Sequence, residues 1–345
     1  MMEALLNLPS LHVCSHTFCL AWFCGLLTAC GGGDGSSNTN GSANTASSTP
    51  TTTAAGTAFV PIDTSNRAEV LAHYQYDFLP LQSTAFSWTG NVSQCNAGDT
   101  PLNYKNAVVR LVNYYRAMAG LPGNVTLSLD LSAQAQQAAL MMDANSTLDH
   151  NPPATWACYT ATGATAAGSS NLSLGTPWLN QGIGGIRLYV TDQGITTLGH
   201  RRWVLYSRLV LVGSGDTPRA DALWVVGNDG PAYTPANGIA WPPPGYVPID
   251  NHIFEPASMQ WSFSYPDADF SSATVSMTDD TGNTVVLANV GELDPGYGDN
   301  TIGWNISSTG WNRSPADTRL NVSISHVMIG GVAQSFSYSV IFVSP

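Results

Sequence analysis

The sequence predicts an α+β fold, in which a layered α-β-α sandwich is followed by a small antiparallel β-sandwich. Between residues 104 and 241, helical periodicity and β-rich runs interleave without regular alternation, which is typical of a three-layer or α+β domain. From residue 242 the helical period is lost. Short alternating runs separated by turn residues follow instead, and these are typical of an immunoglobulin-like sandwich over 242–345.

The N-terminal segment is apolar from residue 13 to residue 27, VCSHTFCLAWFCGLL. This run is too short for a membrane span and is typical of the core of a signal peptide. The following residues, Leu27-Thr28-Ala29-Cys30, resemble a bacterial lipobox, in which the cysteine is lipidated. We expect residues 1–30 to be a signal peptide with a lipobox, and Cys30 to anchor the chain to a membrane. The alternative is an ordinary signal peptide cleaved nearby.

Residues 31–58 lack the large apolar side chains that a core requires. Such a segment cannot bury enough surface to offset its ordering entropy, so it predicts a disordered tether. We expect residues 59–103 to form an N-terminal extension that packs on the domain after it. From the anchor and the tether we expect the protein to lie in the bacterial cell envelope, on the periplasmic side or at the cell surface.

The elements of the first domain follow from apolar spacing. The spacing predicts helices over Tyr104–Ala119, from an Asp130 N-cap through Met142, and over Gln181–Asp192, and strands over Trp203–Val212 and Leu223–Val226. Pro152 excludes a helical continuation after His150, which therefore lies in a loop.

A stiff Pro-rich boundary, Trp241 to Gly245, separates this domain from the second. Beyond it we expect strands near Met259–Ser264, Ala273–Thr278, Thr284–Leu287, Thr301–Ile306, Arg319–Ser325 and Gln334–Phe342.

The composition limits what the chain can bind. Its 345 residues are 43% hydrophobic and only 10% charged, with a formal net charge of −12. This is enough apolar material for a sizeable core, whereas the negative field would repel a polyanion such as DNA. We therefore expect no nucleic-acid partner.

Three segments carry a resemblance to a known family. They are NYYRAMAGLPGNVTLSLDLSAQAQQAALMMDANSTLDH at 113–150, AAGSSNLSLG at 166–175 and GHRRWVLYSRLVLVGSG at 199–215. In this order they resemble the CAP superfamily of cysteine-rich secretory proteins, antigen 5 and pathogenesis-related proteins. The resemblance implies a CAP (SCP-like) domain over 104–241.

The family resemblance also implies a central cleft in which two histidines and two acidic residues can hold a divalent metal. The histidines fall on His150 and His200, and the second acid falls on Asp192, three residues after a helix aromatic. A rival alignment through Trp178 places Gln181 there. The first acidic position falls on Ser170, so one carboxylate is missing.

Zn²⁺ or another divalent metal could still bind His150 and His200, although the missing carboxylate lowers the affinity. The alternative is that both are hydrogen-bonded structural histidines at the border of a ligand cleft formed with Ser170 and Asp192.

Two further features of the body need interpretation. Cys95 and Cys158 are its only cysteines, and they could form one disulfide or remain two buried thiols. Arg201 and Arg202 could bind an anionic group, or one of them could pair with an internal acid.

CAP-like proteins as a class imply extracellular binding of lipids, sterols or cell-wall ligands more often than catalysis. The leading hypothesis is thus a non-enzymatic protein that binds such a ligand in the cleft. A metal-dependent hydrolase of envelope peptides or glycans is one alternative, and an adhesive or scaffold protein is the other. Ser170, His200 and Asp192 have the residue types of a hydrolytic triad, but no Gly-x-Ser-x-Gly elbow accompanies them.

Overall fold

A computed structural model describes residues 52–53, 58–175, 182–249, 260–307 and 318–345. Cys30 and nearly all of the predicted tether lie outside these residues. Thr49–Pro345 form one compact unit. Among the described helices, none is both long and apolar enough to cross a membrane.

Seven α-helices lie in the described part of the chain, together with one π-helix at Tyr74–Phe78 and one 3₁₀ turn at Val92–Gln94. The α-helices are α1 (Arg67–His73), α2 (Leu79–Gln82), α3 (Leu102–Met118), α4 (Leu129–Asn145), α5 (Ala161–Gly168), α6 (Gly182–Thr191) and α7 (Gly199–Val204). The two long helices, α3 and α4, form where the sequence shows the clearest helical spacing of apolar residues.

The described strands form three sheets. They are β1 (Thr52–Thr53), β2 (Thr126–Ser128), β3 (Ser170–Leu174), β4 (Leu211–Asp216), β5 (Ala220–Trp224), β6 (Ile239–Trp241), β7 (Gly245–Pro248), β8 (Gln260–Ser264), β9 (Thr274–Asp279), β10 (Thr284–Val285), β11 (Leu287–Glu292), β12 (Thr301–Ile306), β13 (Thr318–Ile329) and β14 (Val332–Val343). The first sheet has the order β1-β2-β4-β5-β3.

Helices cover both faces of this first sheet. Successive residues of a strand point to opposite faces, and in β5 Ala222 and Trp224 pack with the alanines of α4 and α5. Leu223, between them, belongs to the cluster that contains the apolar faces of α3 and α6. The predicted α-β-α layering is confirmed.

The two remaining sheets form the predicted β-sandwich. Their orders are β10-β9-β13-β14-β7 and β11-β12-β8-β6. Aromatic side chains join them, because Trp261 of β8 packs on Phe342 of β14 and Trp304 of β12 donates to the Met277 sulfur of β9 at 3.2 Å. One pair departs from an antiparallel arrangement, since β7 runs parallel to β14.

Two details of the predicted elements are wrong. The strand predicted over Trp203–Val212 begins only at Leu211, and Trp203 lies in α7. The side chain that caps α4 is Ser128, which accepts from Leu131 N, and Asp130 lies inside the first turn. The helix α5 and the strand β3 were not predicted, because a run of Ala, Gly, Ser and Thr carries little periodicity.

The segment 59–103 packs on the layered domain. Phe78 lies 5.1 Å from Tyr114 of α3, and Phe86 lies 5.3 Å from Tyr104 of the same helix, measured between ring centroids. Cys95 and Cys158 form a disulfide, as the first of the two alternatives predicted. This bond ties the segment to the loop that follows His150.

Candidate functional site

His200 and Asp192 are in direct contact. His200 Nδ1 lies 2.8 Å from Asp192 Oδ1, and the other carboxylate oxygen accepts from the backbone N–H of Arg201 at 3.2 Å. The carboxylate is 1% exposed, whereas the His200 side chain is 26% exposed. Because Nδ1 faces a carboxylate, it carries the ring proton, and Nε2 is the ring nitrogen left for a ligand.

Backbone geometry explains why Asp192 reaches His200. Asp192 follows the last residue of α6 with φ of 48°, in the left-handed region that aspartate tolerates better than most side chains. The N-cap of α7, Leu198, has no side chain that can cap the helix. Asp192 takes over this role, since Arg201 is the third residue of α7.

An aromatic ring packs against the imidazole of His200. The phenol ring of Tyr189, on α6, stacks on the imidazole with centroids 5.3 Å apart and an angle of 25° between the planes. The carbonyl of His200 accepts from Asn171 Nδ2 on β3 at 3.0 Å. The orientation of this histidine is therefore fixed from three sides, and the role of Asn171 was not predicted.

His150 lies on the exposed loop after α4, as predicted. Its Nδ1 donates to the carbonyl of Ala167 at 2.8 Å, near the end of α5. Nε2 is again the nitrogen left free by this bond. Ala167 and Asn171 are four residues apart, so the two histidines contact the chain on either side of Ser170.

Ser170, onto which the family resemblance placed the first acidic position, begins β3. Its hydroxyl is buried and makes no hydrogen bond to any residue that the structure describes. Gln181 and Trp178 of the rival alignment lie outside the described residues.

The residues present do not fit a metal centre. Both oxygens of Asp192 are engaged and shielded from solvent, and Ser170 is a neutral hydroxyl. Among the predicted site residues that the structure describes, only the two imidazoles remain as metal donors, whereas zinc in proteins takes at least three protein ligands. Within the described residues, no group of three or more His, Cys, Asp and Glu could hold a metal ion.

Arg201 and Arg202 point away from the histidine and into the β-sandwich. Arg201 Nη1 donates to the Gln260 carbonyl at 2.6 Å, and its Nε donates to the Val190 carbonyl at 2.6 Å. Arg202 Nη1 donates to the Asp294 carbonyl at 2.6 Å. Burial lowers the pKa of each arginine to about 10, so both remain charged near neutral pH.

Among the described residues neither guanidinium forms an ion pair with a carboxylate, and the predicted pairing with an internal acid is present only as the electrostatic effect of nearby carboxylates, such as that of Asp192 on Arg201. Backbone carbonyls accept most of their hydrogen bonds, and Asp192 acts on Arg201 as a nearby charge and as an acceptor of its backbone N–H. The helix α7 therefore presents His200 on one side and contacts the β-sandwich with the other.

Comparison with known families gives one match. Residues 109–226 match the model of the family described as CAP, the cysteine-rich secretory protein family. A comparison with curated proteins finds no match, nor does one with solved structures. The matched range contains the four predicted site residues His150, Ser170, Asp192 and His200. Residues 109–226 are therefore a CAP domain of the cysteine-rich secretory protein family.

Proposed function

We propose that this CAP-domain protein is exported, is held in the bacterial envelope by a lipid on Cys30, and binds a small apolar or cell-envelope ligand beside His200 without chemical turnover. The observation that carries the proposal is the state of His200. Its ring is held by Asp192 and Tyr189, it remains partly exposed, and Nε2 is left for a ligand.

The surroundings of His200 suit binding. Ligand sites combine apolar surface with a few placed polar groups. His200 Nε2 is such a polar group, on a side chain that is 26% exposed, whereas Tyr189 and Ser170 are buried beside it. A lipid or sterol hydroxyl, or an amide N–H of a cell-wall fragment, could donate a hydrogen bond to this ring nitrogen.

A hydrolytic reaction has less support. In a serine triad the nucleophile lies within hydrogen-bond reach of the histidine. Ser170 Oγ makes no such bond in the described structure, although His200 and Asp192 have the required contact. The donor set also does not suit a metal-bound water.

Ligand binding can be tested on the full chain bearing Cys30→Ala, which removes the proposed lipid. The probes are a fluorescent fatty acid, cis-parinaric acid, and purified soluble peptidoglycan fragments. We expect one of them to bind, and His200→Ala to weaken that binding about tenfold, the effect of one lost hydrogen bond.

His326→Asn is the matched control, because His326 is exposed on β13 and asparagine tolerates its positive φ. Failure of the parent protein to bind either probe would overturn the proposed binding function. Equal losses in the two variants would remove His200 from the site.

Lipidation is tested separately by growing cells with an alkyne-tagged fatty acid and recovering the full chain. We expect label on the parent protein, none on Cys30→Ala, and unchanged label on Cys24→Ala, which alters a cysteine six residues earlier. Label that survives Cys30→Ala would show that the anchor is not at the lipobox cysteine.

A further inference from the structure

Two carboxyl groups face each other in the hairpin of β4 and β5. Asp216 and Asp221 are directly opposite in the antiparallel register, and both are fully buried. Opposed side chains of such a pair have Cβ atoms about 5 Å apart. Two carboxylates that close, both out of reach of water, repel strongly, so one of them must carry a proton.

The hydrogen-bond donors around the pair favour a charge on Asp216. Its Oδ1 accepts from the backbone N–H of Gly182, the first residue of α6, and its Oδ2 accepts from Ser214 Oγ at 3.1 Å. The Lys105 ammonium, on α3, also favours a negative charge there. Bonds and charges of this kind stabilise the ionised form.

Fewer hydrogen-bond donors stabilise a negative charge on Asp221. Tyr189 donates its hydroxyl to Oδ2 at 2.5 Å, and Oδ1 has no donor among the described residues. The neighbouring group is the Asp216 carboxyl, and two carboxyls can share a hydrogen bond only when one is protonated. Burial and the charge of Asp216 raise the pKa of Asp221 well above its usual value.

Two glycines let α6 lie directly on this pair. A Cβ on Gly185 would lie 2.7 Å from Asp221 Oδ2, and one on Gly182 would lie 3.1 Å from Asp216 Oδ1. Such contacts are too close for a side chain at either position. The carboxyls are thereby enclosed by α6, and Tyr189 on the same helix lies between them and His200.

The other titratable groups near the pair do not remove the need for a proton. Lys105 is the cation, and it also pairs with Asp99 at 2.9 Å. Burial and the two carboxyls raise the pKa of Tyr104 on α3, which is therefore neutral. Burial and the neighbouring Asp221 likewise raise the pKa of Tyr189.

We propose that Asp216 and Asp221 share one proton at neutral pH, and that this pair acts through Tyr189 as a positioning group for His200. The hydrogen bonds run in one direction. Tyr189 donates to Asp221 Oδ2, a protonated Asp221 would donate to the Asp216 carboxyl opposite it, and the ring of Tyr189 packs on the imidazole. Loss of the proton would force the carboxyls apart and shift that ring.

The shared proton is tested by ¹³C NMR of the aspartate carboxyl carbons in the full chain. At pH 7 we expect one carboxyl carbon with the chemical shift of a protonated acid, and we expect its signal to be absent in Asp221→Asn. A folded protein in which every aspartate carboxyl is ionised at pH 7 would overturn the proposal.

Positioning is tested by the ¹H–¹⁵N signals of the His200 ring. Asp221→Asn keeps a neutral donor toward Asp216, so it should leave these signals close to their original positions. Tyr189→Phe, which keeps the ring but removes the hydroxyl, should move them. Tyr206→Phe is the control, because its hydroxyl bonds to Asp229 away from this site.

Unchanged His200 signals in Tyr189→Phe would overturn the positioning role even where the protonated carboxyl is present. Neither measurement uses a ligand, so failure of this inference is distinct from failure of the proposed function. The ¹³C measurement of the carboxyl carbons at pH 7 can be made on the unmodified protein, so it does not depend on a variant that folds.

Discussion

At the scale of single residues, the geometry of the predicted site is set by the contacts that orient His200. Asp192, Tyr189 and Asn171 each contact a different part of this residue. A metal-binding histidine is usually oriented by the same kind of partner, a carboxylate on its other ring nitrogen. Here that orientation remains, while the further carboxylate that a metal would need is absent at Ser170.

Replacing Asp192 by alanine should destabilise the fold and release the ring. The variant removes the cap of α7 and the charge nearest the buried guanidinium of Arg201, which together should cost about 2–4 kcal/mol. Urea unfolding measures the loss, and ¹⁵N shifts of His200 should show that Nδ1 no longer holds the proton alone.

Asp130→Ala is the matched control for this experiment, because Asp130 is exposed in the first turn of α4. It should cost less than about 1 kcal/mol. Similar losses in both variants, with the Nδ1 proton retained in Asp192→Ala, would contradict the role given to Asp192.

Some residues at the site could be found in the sequence and others could not. His150, Ser170, Asp192 and His200 were found through the family resemblance. Asp216 and Asp221 were missed, although they flank the segment Thr-Pro-Arg-Ala, whose proline favours a turn. Their importance comes from facing each other across β4 and β5 under α6, and neighbours of this kind are set by tertiary packing.

At the scale of elements, periodicity was enough for α3 and α4 but not for α7. The β-branched and aromatic residues from Trp203 onward favour a strand. The six residues of α7 are helical because tertiary contacts hold them, with a cap from Asp192 and acceptors for Arg201 as far along the chain as Gln260. No local signal in the sequence could predict such partners.

Arg201→Ala should show how strongly α7 is held to the β-sandwich. The variant leaves the carbonyls of Val190, Thr191 and Gln260 without their buried donor, at about 1–3 kcal/mol for each unsatisfied group. We expect a large loss of unfolding free energy and faster proteolysis between α7 and the β-sandwich. Arg219→Ala, at a half-exposed pair with Asp143, should cost at most about 1 kcal/mol. Equal losses of unfolding free energy in the two variants would refute the role of Arg201 in holding α7 to the β-sandwich.

At the scale of the whole molecule, stability should depend on pH through the buried carboxyls. Burial raises the pKa of Asp216 and Asp221 above the value of 3.8 for an ordinary aspartate. The folded chain then keeps a proton that the unfolded chain releases. This contribution is complete below pH 3.8 and is lost as the pH rises through the folded pKa, by up to about 1.4 kcal/mol per pH unit for one proton.

Asp221→Asn cannot ionise, so its unfolding free energy should fall less between pH 4 and pH 8 than that of the parent chain. Urea unfolding at pH 4, 6 and 8 measures the two profiles. Parallel profiles would show that Asp221 does not keep its proton in the folded state.

The disulfide should stabilise the molecule by restricting its unfolded chain. Cys95 and Cys158 are 63 residues apart, and a loop of this length corresponds to about 4 kcal/mol. We expect the paired variant Cys95→Ala/Cys158→Ala to lose an amount of this order in denaturant unfolding, and reducing agent to lower the stability of the parent but not of the variant. An unchanged parent after verified reduction would contradict this expectation.

The contacts of Arg201 and Arg202 with the β-sandwich also limit how the chain can have changed by recombination. The family match ends at residue 226, but the acceptors for these two guanidiniums lie at Gln260 and Asp294. Loss of the C-terminal region would leave Arg201 with Val190 and Thr191 alone as acceptors and Arg202 with Thr197 alone, on the helix that carries His200. We therefore expect the two regions to be inherited as a pair, or both arginines to be replaced when the second region is lost.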